Sequence, residues 1–156
     1  MIENSYKRQV AVIGAGDCTT KEYETAIELG RSLALLGIIV ICGGLGGVME
    51  AVCKGAKDAG GTTVGILPGE QIEANSYVDI PIVTAMSHAR NNIVVRSGEC
   101  VIAIGGGYGT LSEIAIAIKL GKPVIGINTW TVSDEIIAAD SHEEAILLIK
   151  KTLEIE

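Results

Sequence analysis

Residues 102–127 read IAIGGGYGTLSEIAIAIKLGKPVIGI, and the fold prediction begins from this stretch. An apolar run of strand type is followed by four glycines within five residues, then by an apolar helical run, then by a second strand. Glycine loses more conformational entropy on folding than other residues, so such a cluster needs a structural reason. That reason is either a bound group that approaches the backbone closely or a plain tight turn.

The same alternation of strand and helix extends along the chain. Predicted strands lie at residues 9–14, 38–42, 62–67, 81–83, 100–104 and 124–128. Predicted helices lie at residues 20–36, 48–59, 87–96, 110–120 and 141–153, with a long loop at 68–80. This order predicts an α/β protein in which residues 1–156 form one Rossmann-like domain. The sheet is expected to be parallel and doubly wound, with helices on both faces.

Composition and charge exclude several classes of function. The net charge is −7 and no cluster of Lys and Arg occurs, whereas nucleic-acid binding needs a basic surface, so no nucleic-acid partner is expected. No uncharged apolar run approaches the ~20 residues that span a bilayer, so no membrane partner is expected either. The first ten residues, MIENSYKRQV, contain charges but no apolar signal region, which predicts a cytoplasmic protein.

The four cysteines are separated in the sequence and are not grouped with either histidine. Three of them lie in apolar runs, where cysteine is usually a small reduced core residue. We therefore expect no metal site.

Two glycine turns resemble each other. The segments VICGGLGGVME and AIGGGYGTLSE align so that Glu50 and Glu113 occupy equivalent positions. Both turns follow strands, and open α/β sheets bind ligands at the carboxyl ends of their strands. A third turn, at Gly14 and Gly16, either approaches a ligand or is a simple tight turn. It is not an ordinary NAD-binding turn, because Thr19 replaces the third glycine of that motif.

The turn GGGYGT is the strongest candidate for a phosphate site. The backbone amides of Gly106, Gly107, Gly109 and Thr110 are expected to converge there, and the start of a helix adds its positive dipole end. The alternative is a capping box, in which Thr110 caps the helix and Glu113 only bonds to the helix end.

The combined motifs resemble those of the LONELY GUY superfamily, long mislabelled as lysine decarboxylases. The segments that carry the resemblance are GGLGGVME, then Arg90, then GGGYGTLSE, with Arg90 fifteen residues before Gly105. The phosphoribohydrolases of this superfamily have Arg-Lys and Pro-Gly-Gly where this chain has Asn91 after the arginine and Gly105 at the start of the turn. Both departures resemble the molybdenum-cofactor carrier branch.

The resemblance implies a binding protein for a phosphorylated small molecule, either a nucleoside monophosphate or the molybdenum cofactor, with no further cofactor required. The alternative that it implies is hydrolysis of nucleoside 5′-monophosphates to a free base and ribose 5-phosphate, with Glu113 and Arg90 as catalytic residues. Lysine decarboxylation is not expected. The predicted ligand-binding residues are Gly14, Gly16, Gly43, Gly44, Gly46, Met86, Arg90, Asn91, Gly105, Gly106, Gly107, Gly109, Thr110 and Glu113. His88 is assigned no chemistry, and Trp130 either stacks on a planar ring or packs at a subunit contact.

The helix predicted after the glycine turn is apolar around almost its whole circumference. In residues 111–120, LSEIAIAIKL, only Ser112, Glu113 and Lys119 are polar. A helix that packs on one face of a sheet needs only an apolar stripe, so this pattern predicts cover from a second subunit, in a dimer or a higher homo-oligomer. The alternative is cover by the 68–80 loop or by the C-terminal helix.

Overall fold

The computed structural model describes residues 6–156, in which strands and helices alternate from end to end. The strands are β1 (Gln9–Gly14), β2 (Ile39–Cys42), β3 (Thr63–Leu67), β4 (Ile80–Val83), β5 (Val101–Ile104), β6 (Val124–Ile127) and β7 (Ile136–Ala139). The helices are α1 (Thr20–Leu35), α2 (Val48–Asp58), α3 (Asn91–Ser97), α4 (Tyr108–Lys119) and α5 (His142–Thr152). Residues 1–5, on which the predicted location partly rests, lie outside the described residues.

All seven strands belong to one parallel sheet, in the order β4-β3-β2-β1-β5-β6-β7. The chain moves outward from β1 to β4 and then returns to the other side of β1 with β5. The strand order therefore reverses between β1 and β5, which is where sheets of this kind open a ligand-binding crevice. The predicted α/β doubly wound sheet is confirmed.

Helices cover both faces of the sheet. On one face α1, α2 and α5 pack against side chains such as Val10 and Val12 of β1. On the other face α3 and α4 pack against Ala11 and Ile13 of the same strand. Because both faces are buried, the central strands appear in the sequence as continuous apolar runs rather than as alternating ones.

Two glycines set the close approach of α1 and α2. A Cβ atom on Gly55 would lie 1.8 Å from the carbonyl oxygen of Ile27, and one on Gly30 would lie 2.1 Å from that of Val52. No larger residue fits at either position without moving a backbone.

Some boundaries differ from the sequence predictions. The predicted helix 87–96 is a 3₁₀ turn, Ser87–Arg90, followed by α3. Helix α4 begins at Tyr108, two residues before the predicted start. Strand β7 was not predicted, because its four residues pair only with β6 at the edge of the sheet and leave Ile137 exposed.

The predicted alternative cover for α4 is wrong. Residues Tyr77 and Val78 of the 68–80 loop pack against the core on the face of α1 and α2, which is opposite to α4. The C-terminal helix α5 packs on that same opposite face. The outer side of α4 is left with half-buried Ile116 and Ile118 and exposed Ala115.

Within residues 6–156, no helix is both long and apolar enough to cross a membrane. In the same part of the chain, no three or more His, Cys, Asp or Glu residues are grouped so as to hold a metal ion. The four cysteines are free thiols, and Cys42, Cys53 and Cys100 are buried.

Candidate functional site

A cleft of about 360 Å³ opens at the carboxyl ends of β1, β2 and β5, beside the point where the strand order reverses. Its walls come from the turns that follow these three strands, from the first turn of α4 and from the segment that leads into α3. Nine of the predicted ligand-binding residues line it: Gly14, Gly16, Gly43, Arg90, Asn91, Gly107, Gly109, Thr110 and Glu113.

The other five predicted residues do not line this cleft. The backbone of Gly44 packs against β3, where a Cβ would lie 2.5 Å from Leu67. Met86 is exposed at the start of the 3₁₀ turn. Gly46 lies near the turn after β1, while Gly105 and Gly106 face an adjoining depression on the other side of the glycine loop. Successive residues of a loop face different sides of it. The sequence motifs do not show which side each residue faces, so these five positions could not be distinguished from the other nine.

The glycine loop after β5, residues 105–109, begins with two residues whose backbone only glycine adopts easily. Gly105 and Gly106 have positive φ angles of 55° and 108°. The amide of Gly105 donates to the carbonyl of Ile127 at 3.1 Å, so it is not available to a ligand. In contrast, the amides of residues 106–110 have no acceptor among the described residues. The loop therefore presents a row of free donors at the N-terminus of α4.

Arg90 is almost completely buried, with 7% of its surface exposed, and most of its guanidinium is bonded to the protein. Its Nε donates to the Ile66 carbonyl at 2.8 Å, and Nη2 contacts the Gly43 carbonyl at 3.5 Å. A Cβ on Gly43 would lie 2.8 Å from Nη2, so glycine leaves room for the arginine. An arginine has five N–H donors; these contacts and a bond to Asn91 occupy three of them, and Arg90 itself lines the cleft.

Asn91 occupies the position where the phosphoribohydrolase pattern has lysine, and its side chain is also engaged. Its Oδ1 accepts from Nη1 of Arg90, and its Nδ2 donates to Oγ of Ser112 at 3.2 Å. Ser112 in turn donates to the Gly109 carbonyl at 2.6 Å. Asn91 therefore connects the arginine to the first turn of α4.

The segment before Arg90 is held in a strained conformation. Ala85 and Ser87 have positive φ angles of 53° and 52°, which are uncommon for residues other than glycine. Their amides donate to the carbonyls of Gly69 and Pro68, which fixes the segment against the end of β3. This constraint directs the following 3₁₀ turn, and with it Arg90, into the cleft.

Glu113 lies in the cleft wall with 8% of its surface exposed and makes no hydrogen bond or ion pair within residues 6–156. Burial raises the pKa of its carboxyl from 4.5 to about 7, although the positive charge of Arg90 opposes this rise. The capping-box alternative for Glu113 is wrong, because α4 begins at Tyr108 and Gly107 is its N-cap. Thr110 is thus inside the helix, and Glu113 is directed into the cleft.

The sequence prediction missed three side chains of the cleft. Asp17, His88 and Met49 line it, in addition to apolar positions of β1. His88 is two residues before Arg90 and lies in the same 3₁₀ turn. Only that proximity could have suggested it from the sequence. The charged and titratable groups of the cleft are therefore Asp17, His88, Arg90 and Glu113.

Several proteins resemble this chain in sequence or in structure. The sequence profile of the SLOG cluster4 family matches residues 7–155. The molybdenum cofactor binding protein of the phototrophic bacterium Rippkaea orientalis has 39% identity and a TM-score of 0.91, over 96% of this chain and 99% of that one. The cytokinin riboside 5′-monophosphate phosphoribohydrolase of Mycobacterium tuberculosis is 34% identical over 133 residues, 78% of this chain and 71% of the enzyme. An uncharacterized protein of Archaeoglobus fulgidus is 48% identical over 138 residues, 88% of this chain and 91% of its own.

Proposed function

The chain belongs to the SLOG cluster4 family, within the LONELY GUY superfamily, and from that membership we propose that it binds a phosphorylated small molecule in the cleft. The ligand is a nucleotide or a phosphorylated pterin such as the molybdenum cofactor, and the protein acts as a carrier. Its similarity to the Rippkaea orientalis protein over almost the whole chain supports this choice.

One observation carries the proposal: two glycines of the loop are not needed by the protein. A Cβ on Gly107 or Gly109 would meet no atom within 4 Å, and neither residue has a positive φ. Both positions line the cleft, next to the free amides. Glycine at these positions keeps space for a group that approaches the backbone, and a phosphate bound by amides at a helix N-terminus fits that requirement.

Two further groups support an anion at this place. The hydroxyl of Thr110, a buried side chain, makes no hydrogen bond within residues 6–156 and lines the cleft. The free N–H groups of Arg90 add a fixed positive charge. Because its carboxyl has a pKa of about 7, Glu113 is about half protonated at neutral pH and largely uncharged at slightly acidic pH, which limits its repulsion of an anion.

Gly109→Ala tests this proposal. Alanine is favoured over glycine in a helix, so the folded protein should be as stable or slightly more stable. Its methyl group would enter the cleft, and affinity for adenosine 5′-monophosphate should fall about tenfold or more because the amide contacts lengthen. Calorimetric titration with adenosine 5′-monophosphate, adenosine and inorganic phosphate measures both affinity and phosphate dependence. Gly69→Ala, at an open position outside the cleft, is the matched control.

Equal affinity of the unmodified protein for the nucleotide and for adenosine would refute phosphate recognition. A crystal soaked in phosphate that held the anion elsewhere and left the loop empty would also contradict it. If the unmodified protein prefers the nucleotide to adenosine but Gly109→Ala does not weaken nucleotide binding, the phosphate lies nearer to residues 106–107.

Hydrolysis of nucleoside 5′-monophosphates is the second candidate, and the environment of Glu113 favours it. A buried carboxyl with a pKa of about 7 is suited to general acid–base catalysis at neutral pH. It lies in the same cleft as the proposed phosphate site, where it would face the sugar and the N-glycosidic bond. The similarity to the Mycobacterium tuberculosis enzyme supports this candidate.

Release of free base from a panel of nucleoside monophosphates separates the two candidates. If the protein is a hydrolase, Glu113→Gln should abolish turnover while nucleotide affinity stays within a few-fold, since the carboxylate serves the sugar. Glu50→Gln is the control, because Glu50 has the equivalent place in the other glycine turn and its Oε1 accepts from the hydroxyl of Tyr23 at 3.1 Å. Absence of base release from every substrate leaves the carrier function.

We also propose that the protein forms a homo-oligomer through the face that carries α3 and α4. Besides the half-buried isoleucines of α4, edge strand β4 exposes Ile80 (48%) and Ile82 (43%). These residues pair with Val64 and Ile66, whose side chains belong to the α3–α4 side of the core. A second subunit on this face would cover apolar surface that α3 and α4 leave open.

A further inference from the structure

We propose that Thr129 and Trp130 are positioning residues that hold the glycine loop so that its free amides point into the cleft. This inference rests on the proposed phosphate site. Neither residue lines that cleft; both lie behind the loop, after β6.

Both side chains donate to carbonyl oxygens of the loop. Thr129 Oγ1 donates to the carbonyl of Gly105 at 2.6 Å, and Trp130 Nε1 donates to that of Gly107 at 3.1 Å. The amide of Gly105 donates to the carbonyl of Ile127 at 3.1 Å. The end of β6 and the segment after it thus form three hydrogen bonds to the loop.

These bonds determine the direction of the amides. A peptide unit is planar, and its N–H points away from its C=O. When Thr129 holds the carbonyl of Gly105, the amide of Gly106 points away from Thr129, and so away from the depression behind the loop that both residues line. The Gly107 carbonyl accepts from the Leu111 amide at 3.0 Å as well as from Trp130, so Trp130 adds a second bond to the one by which α4 directs the amide of Tyr108.

The loop needs such bonds because side chains do little to fix it. Its glycines permit several backbone conformations, and around Gly107 there is open space. Gly105 lies beside the carboxylate of Glu22, where a Cβ would lie 2.6 Å from Oε2, and its positive φ of 55° favours glycine. The hydrogen bonds from the segment after β6 therefore supply restraints that packing does not.

The local structure places both donors. Asn128 has a positive φ of 47°, which turns the chain back toward the loop directly after β6. Gly126 leaves room for the methyl group of Thr129, since a Cβ there would lie 2.7 Å from it. The ring of Trp130 stacks on Tyr108, with centroids 6.0 Å apart, while Tyr108 itself is 83% exposed.

The test compares Thr129→Val, which removes the hydroxyl at nearly constant volume, with Thr129→Ser, which keeps it. Affinity for adenosine 5′-monophosphate should fall about five- to tenfold in Thr129→Val, as expected for loss of one hydrogen bond. Thr129→Ser should stay within about twofold of the unmodified protein. Thr131→Val, at an exposed neighbouring threonine, should have no effect. Trp130→Phe should weaken binding like Thr129→Val.

Affinity for adenosine distinguishes positioning from general loosening of the cleft. Loss of loop orientation should lower the affinity for adenosine 5′-monophosphate but not the affinity for adenosine. The ratio of the nucleotide affinity to the adenosine affinity should therefore fall. Trp130 is the only tryptophan of the chain, and its emission should shift when the nucleotide binds to the loop that it contacts.

Three results would overturn the inference: nucleotide affinity unchanged in Thr129→Val, equal losses for nucleotide and adenosine, or no rescue by serine. If the unmodified protein itself lacks a preference for the nucleotide over adenosine, the proposed phosphate site fails, and this inference fails with it. If that preference is present but insensitive to Thr129, only the positioning role is wrong.

Discussion

Replacing Glu113 by glutamine should make the protein more stable at alkaline pH and leave its stability at acid pH almost unchanged. Glutamine has nearly the shape of the protonated carboxyl but cannot ionise. In the folded protein the pKa of Glu113 is raised from its ordinary value of 4.5 to about 7, because the carboxyl is buried. The folded state therefore holds the proton more tightly than the unfolded chain does.

The sign of the effect follows from this rise in pKa. The stability contributed by Glu113 is fully present below pH 4.5 and is lost as the pH rises to about 7. The interval between these two values corresponds to about 3 kcal/mol, at about 1.36 kcal/mol per pH unit. Relative to the unmodified protein, Glu113→Gln should thus gain about 3 kcal/mol in the free energy of unfolding between pH 4 and pH 8.

Urea unfolding at pH 4, 6 and 8 measures this difference, at one fixed protein concentration because assembly would also change stability. Glu24→Gln, at an exposed position of α1, controls for removing one negative charge from a chain of net charge −7. If the difference between Glu113→Gln and the unmodified protein is the same at all three pH values, the carboxyl is not held neutral by burial. The acid–base role proposed for Glu113 would then lose its physical basis.

Three other predictions concern packing, assembly and charge. Gly55→Ala should lower the free energy of unfolding by about 2 kcal/mol or more, because a Cβ would lie 1.8 Å from the Ile27 carbonyl. The control Gly69→Ala, at an open position, should leave this free energy unchanged. If Gly55→Ala is as stable as the unmodified protein, α1 and α2 separate easily. Light scattering at micromolar concentration should give at least twice the chain mass of 16.2 kDa, and a monomer would contradict the proposed assembly. Fluorescence anisotropy should detect no binding of single-stranded DNA at physiological salt, since the net charge is −7 and no basic cluster occurs; micromolar affinity would contradict this.

The sequence by itself determined the order of the elements, apart from the edge strand β7, and the location of the cleft. Apolar runs and glycines are local features, and each run fits only a few conformations. Because parallel strands place all their carboxyl ends at one edge of the sheet, turns after β1, β2 and β5 had to meet there. The resemblance of the motifs to the superfamily assigned Arg90 and Glu113 to one site, and both line the cleft.

The direction of each side chain was decided only in the tertiary structure. The spacing of Thr110 and Glu113 fits a capping box and a cleft carboxylate equally well, and the start of α4 at Tyr108 distinguishes them. Likewise, the sequence could not indicate that most of the Arg90 guanidinium is bonded to the backbone and to Asn91.

The sequence also did not indicate the hydrogen bonds from Thr129 and Trp130 to the glycine loop. They connect residues 24 and 23 positions apart, and they form because β6 lies next to β5 in the sheet. A periodic pattern describes how one element is buried, but it does not state which loops become neighbours. Contacts between loops depend on strand order and register, which fix the direction of every donor and acceptor only when the whole sheet has formed.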